Sequence, residues 1–249
     1  MRLRIHDDKQ MLGKVAADEG ADAIRAAIAN KGRAAIVLAT GVSQFEMLDV
    51  LVHQEIDWSK VSAFHLDEYI GMGNDHPASF RRYLEERFVR QVRGLADFVA
   101  IDGNAADPNV ELIRLNRRIA SDTIDVCFAG IGENGHLAFN DPPADFDTDE
   151  PFILVELDDA CRRQQMGEGW FETFDDVPSR AISMSIRQII RSKKLILSVS
   201  DARKAKAVLE TIEGPVTNSH PASIIQDHGD CSLHLDPAAA GLLSTDSLE

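Results

Sequence analysis

The chain has only three cysteines in 249 residues, Cys127, Cys161 and Cys231, odd in number and far apart. That excludes a disulfide framework and makes reduced thiols in a cytoplasmic protein the expectation. No apolar run approaches the roughly 20 residues of a bilayer-spanning helix. The opening Met1-Arg2-Leu3-Arg4-Ile5-His6-Asp7 has no apolar core of the kind a secretory signal carries. Positive charge is also scarce: 26 Lys and Arg stand against 41 Asp and Glu, for a formal net charge of −15. Nucleic acid and anionic membrane surfaces both need a basic face, so neither is an expected partner. A phosphorylated small molecule is not excluded, because a phosphate needs only a local nest of N–H groups and one or two cations. Several chemical signatures are missing too. The eight histidines are scattered, with no His-Glu-x-x-His and no Cys-x-x-Cys, so no metal centre is expected. There is no Gly-x-Ser-x-Gly nucleophile elbow and no Walker loop.

What the chain does have is alternation. Short runs rich in Val, Ile and Leu predict strands at 2–5, 34–39, 61–65, 124–130, 152–156 and 194–199. Amphipathic stretches between them predict helices at 8–30, 44–54, 77–92, 110–120, 185–190 and 202–210. This order predicts a single α/β domain over residues 1–249, with a mostly parallel sheet and helices on both faces. The Asp- and Pro-rich segment 141–150 reads as a loop, either a lid or a solvated acidic surface segment. The polar tail 241–249 is expected to be partly disordered.

Four constellations carry chemistry. Gly130, Gly132 and Gly135 follow a buried strand, and His136 and then Asp141 come directly after them. Open α/β sheets bind ligands at such strand ends, and a neutral histidine beside a carboxylate shuttles protons near pH 7. Thr40-Gly41-Val42-Ser43 links another strand to a helix start, where free N–H groups and the helix dipole favour an anion. Ser43 and Glu46 have the spacing of a capping box, which would satisfy the same N–H groups without any ligand. Asp67 and Glu68 are adjacent carboxylates at a strand end; each raises the cost of ionising the other, as suits a general base or two loop acids. Asp201 is a plausible helix N-cap that leaves Lys204 in a first turn, where a cation opposes the dipole and an anionic ligand would relieve it.

Three stretches are the most specific: Leu66-Asp67-Glu68-Tyr69, the run from Gly132 to Pro142, and Pro221-Ala222-Ser223-Ile224-Ile225-Gln226. In this order they resemble the glucosamine-6-phosphate deaminase (isomerase) family, over most of the chain. The 6-phosphogluconolactonases look similar around the glycines and histidine but lack the Ala-Phe-Asn-acid-Pro continuation. The resemblance implies a modified Rossmann-like fold, no metal or organic cofactor, and a candidate homo-oligomer. It implies a sugar-phosphate substrate, namely a 2-amino-2-deoxy sugar 6-phosphate converted to a ketose phosphate and ammonia. On this chain Asp67 matches the base that moves a proton between C2 and C1. His136 matches the histidine that assists ring opening, and Asp141 stands where its usual glutamate partner is. Asn134, counted among the catalytic group, stands where many members have Asp, so one relay carboxylate is missing. Thr40, Gly41, Val42, Ser43 and Lys204 match phosphate-binding elements.

Val42 and Gln44 replace a second glycine and a proline of the family's phosphate turn, and Gly169 falls where an arginine grips the phosphate. Arg162 or Arg163 is the expected substitute. These departures keep open a lactonase-like hydrolase, a non-deaminating isomerase, and a catalytically silent sugar-phosphate sensor.

Overall fold

The computed structural model describes residues 1–247. Seven parallel strands form the main sheet in the order β1-β10-β9-β6-β2-β3-β5. These are β1 Arg2–Ile5, β10 Cys231–Leu235, β9 Lys194–Val199, β6 Val126–Ala129, β2 Ala34–Leu38, β3 Val61–His65 and β5 Asp97–Val99. The central strands are apolar on both sides because helices cover both faces. Ile36 and Leu38 of β2 point to one layer, formed by α1 (Lys9–Lys31), α2 (Phe45–Leu51) and α3 (Phe80–Leu84). Ala35 and Val37 alternate to the other, formed by α4 (Pro108–Ile119), α6 (Ile186–Ile190) and α7 (Ala205–Glu213).

A second, antiparallel sheet lies beside it in the order β4-β8-β7, from Asp67–Tyr69, Arg180–Met184 and Phe152–Glu156. The strand expected at 152–156 therefore belongs to this small sheet rather than to the parallel one. The chain crosses between the sheets at Leu66, whose N–H donates to Leu38 of β2 while its carbonyl accepts from Met184 of β8. Asp67 is thereby fixed at the joint. An aromatic cluster of Tyr69, Phe80, Phe139 and Phe171 fills the space beneath the small sheet.

Several expectations are corrected. The helix expected from 44 is shorter: a 3-10 turn, Val42–Gln44, leads into α2 at Phe45, and no side chain caps either start. The helix expected at 77–92 is α3, followed by a π-helical turn at Glu85–Val89. Segment 141–150 is irregular, as expected, and lies against α4 and α6, with Asp147 and Asp149 accepting from Arg187 and Arg191 and Glu150 from Asn116. Residues 241–247 of the tail end in a 3-10 turn, Thr245–Ser247, tied to Glu213 through Ser244 and Ser247. Residues 248 and 249 of that expectation lie outside the described residues.

Candidate active site

A cleft opens at the C-terminal edge of the parallel sheet, where strand-to-helix turns from β2, β6 and β9 converge. Asp67 and His136 line it together with Thr40–Ser43, Gly130, Gly132, Ala138, Ser200, Asp201, Arg203 and Lys204. The short helix α5 (Asp159–Gly167) and the residue beyond it add Gln164, Gln165 and Glu168.

Strand alternation separates the two adjacent carboxylates. Asp67 lines the cleft, and burial together with the neighbouring Glu68 pushes its carboxyl up to about 8. Glu68 turns away and holds the start of α3. It accepts from Ser79 Oγ at 2.9 Å, from the Arg81 and Phe80 N–H groups at 2.8 and 3.3 Å, and from the Tyr69 N–H at 2.9 Å. Burial raises its pKa while these donors oppose the rise.

The His136 ring lies against Gly132; a Cβ there would come within 2.4 Å of three ring atoms, so only glycine permits the approach. His136 Nδ1 is 3.0 Å from Asp141 Oδ1. A carboxylate only accepts, so Nδ1 is the donor and Nε2 of the neutral ring is left as a proton acceptor. Burial opposes ionisation of Asp141, yet His136, Asn134 and the Asp158 N–H outweigh it and hold its pKa below the usual range. Asn134 Nδ2 donates to Asp141 at 3.0 Å and to Asp158 at 3.1 Å, and its Oδ1 accepts from the His136 N–H at 3.1 Å. The second carboxylate near the relay is therefore Asp158, the N-cap of α5, reached through an amide. The Phe139-Asn140 continuation is stapled to β8 through Ser183 and Met184. His220 packs against Gly135, and the Ala222 N–H donates to the Gly135 carbonyl, so the segment from 220 braces the loop from behind.

One wall of the cleft suits an anion. Gly41 has φ 102°, a conformation that favours glycine, and the 3-10 turn after it has no capping side chain. The expected capping box is absent: Ser43 Oγ accepts from Gln44, while Glu46 pairs with Lys9 at 2.9 Å. Gln44 is a brace, donating to the Ala129 and Ser198 carbonyls at 3.1 and 3.3 Å across the ends of β6 and β9. Lys204 is buried, which lowers its pKa against the pull of Glu168 and Glu133. Arg203 beside it is exposed and pairs with Asp201 at 3.0 Å and with Glu133 at 3.7 Å. Exposed pairs of this kind exchange at little cost.

Arg162 does not belong to the cleft. Its guanidinium donates to the Val177 carbonyl at 2.8 Å and the Phe174 carbonyl at 3.0 Å and lies over the Phe174 ring. Arg163 pairs with Asp159 on the surface. Arg203, Asp158, Gln164 and Gln165 were missed from sequence, the last three because α5 was not assigned. Among the described residues, His136, Asp141 and Cys161 have donor atoms within 4.8 Å of one another. Burial holds the Cys161 thiol protonated, and the carboxylate is committed to the relay, so this donor set fits hydrogen bonding better than a metal ion.

A buried acid and a histidine–carboxylate pair thus meet at one strand edge beside Arg203 and Lys204. The chain belongs to the glucosamine-6-phosphate isomerases/6-phosphogluconolactonase family, whose model matches residues 7–233. It is 36% identical to a glucosamine-6-phosphate deaminase of Lacticaseibacillus paracasei, covering 98% of this chain and 99% of that one. It is 33% identical to one of Lactobacillus delbrueckii subsp. bulgaricus, covering 98% and 100%. A solved monomeric glucosamine-6-phosphate deaminase superposes with a TM-score of 0.88 at 29% identity, over 98% of this chain and 100% of that chain. A 6-phosphogluconolactonase of Shewanella baltica, at 17% identity, TM-score 0.79 and coverage of 95% and 97%, shares the fold.

Proposed function

We propose that this protein converts glucosamine 6-phosphate and water to fructose 6-phosphate and ammonia. The observation that carries the reading is one cleft holding a buried, pocket-facing Asp67 with a raised pKa together with the His136–Asp141 pair. His136 Nε2 takes the anomeric hydroxyl proton and delivers it to the ring oxygen, opening the pyranose. Asp141 orients the ring of the histidine and stabilises its charged form. Ionised Asp67 then takes the C2 proton, the substrate's C2 ammonium gives a proton to O1, and an enolamine forms. The same carboxyl returns the proton to C1, leaving an imine at C2. Water hydrolyses the imine to the ketone and releases ammonia. One carboxylate held over one face of the substrate serves both carbons.

The phosphate is read by the backbone of Thr40–Ser43 and by Lys204. Arg203 supplies the guanidinium by leaving its exposed carboxylate partners for the stronger phosphate pair. Binding there is remote from the chemistry and holds the sugar in register. The reading is tested by measuring ammonia and fructose 6-phosphate together from purified protein supplied with glucosamine 6-phosphate. Equal yields of the two are expected. Fructose 6-phosphate without ammonia, or hydrolysis of 6-phosphogluconolactone alone, would replace this reading with an isomerase or a lactonase.

A further inference from the structure

Two adjacent glutamines of α5 face the cleft and differ in what they do. Gln164 is committed to the protein: its Oε1 accepts from the Glu133 N–H at 2.8 Å and its Nε2 donates to Glu168 at 2.9 Å. Gln165 is only 5% exposed, and its side-chain oxygen has no hydrogen-bond partner among the described residues. An amide oxygen buried without a donor loses its hydration with nothing to replace it. Such a group needs an account, and a site that receives a ligand supplies one. The residue lines the same cleft as Asp67 and His136, and polyhydroxylated sugars bring O–H donors there.

We propose that Gln165 is a substrate-reading residue whose side-chain amide takes a hydrogen bond from a hydroxyl or amino N–H of the bound sugar phosphate. The proposal rests on the sugar-phosphate reading of the cleft and adds a specificity determinant to it. A site built around a buried acceptor discriminates against ligands that leave it unpaired. In the free protein the amide oxygen has no hydrogen bond to lose, so its removal leaves the fold unharmed. In the complex its removal weakens binding by one hydrogen bond.

The test compares wild type with Gln165→Met, which keeps the side chain's length and removes its polar end. Thermal unfolding is measured without ligand, and kcat/KM for ammonia release with glucosamine 6-phosphate. The expected result is an unchanged or higher unfolding midpoint with kcat/KM lowered about threefold to tenfold, the worth of one neutral hydrogen bond. Unchanged kcat/KM would overturn the proposal. A lower midpoint would overturn it as well, by making the amide a structural group. Should wild type release no ammonia, the deaminase reading falls separately. Calorimetric titration with the same sugar phosphate then decides: weaker binding by the variant supports the proposal, and equal binding, or none by wild type, overturns it.

Discussion

Asp67 and Glu68 differ in fate although they are neighbours of the same chemistry. That two carboxylates meet at a strand end was legible in the sequence; which one reaches the cleft follows from the alternation of β4, a three-residue strand that composition does not announce. The folded protein keeps the Asp67 proton up to about pH 8, whereas an unfolded chain gives it up near pH 4. The stability from the protonated form is present below pH ~4 and is lost as pH rises towards 8. Asp67→Asn, neutral at every pH, is therefore expected to raise the unfolding midpoint at pH 8, by about 2–4 °C for each kcal/mol recovered. A scanning calorimetry comparison checks this, and a lower midpoint in the variant would refute it. Asn134 is the second case. Its amide bridges Asp141 and Asp158, so Asn134→Asp would gather three carboxylates and remove two donors. The expected outcome is a kcat lowered about tenfold or more, by the scale of a general acid–base contribution. Activity equal to wild type would show that the bridge is dispensable. Asn134 was read from sequence as a missing relay carboxylate. Asp158, which approaches from a distant segment, could not be seen without α5.

At the scale of elements, the cleft depends on close approaches that strand and helix patterns only partly reveal. Long apolar runs marked β2, β3, β6 and β9, and their helices followed from amphipathic spacing. β10 escaped because Ser232 and His234 interrupt its apolar pattern, and both turn to Glu19 of α1. Burial opposes ionisation of Glu19, but Lys194, Ser232 and His234 bring its carboxyl down to about 2. This stabilisation is full above the unfolded value near 4.5 and is lost as pH falls towards 2. Glu19→Gln is expected to cost about 1–3 kcal/mol at pH 7, below the range for breaking a fully buried pair, with a smaller difference at pH 3. Denaturant unfolding at the two pH values measures it. In the loop after β6, Gly132→Ala would tilt the His136 ring and lower kcat about tenfold to a hundredfold, because catalytic geometry tolerates little displacement. Steady-state kinetics on a variant with native circular dichroism decides the point. The anion wall offers a parallel test. Arg203→Ala should raise KM for glucosamine 6-phosphate about tenfold and leave kcat nearly unchanged, the mark of lost uniform binding.

On the scale of the whole molecule, a chain of net charge −15 places two cations, Arg203 and Lys204, in a cleft that also holds Asp67, Glu168 and Asp201. The alternation of strands and helices made the parallel sheet legible. The small antiparallel sheet was not, since β4 carries two acids and pairs with β8 far along the chain. That small sheet nevertheless fixes where Asp67 stands. The central claim is that Asp67 is the proton-transferring group of a deaminase. The most direct measurement is kcat/KM for ammonia release from glucosamine 6-phosphate across pH 5–9, for wild type and Asp67→Asn. The account predicts a wild-type rate that rises as Asp67 ionises towards pH ~8 and a variant lower by about a hundredfold to ten-thousandfold throughout. A variant within tenfold of wild type at every pH would contradict it and move the base elsewhere in the cleft.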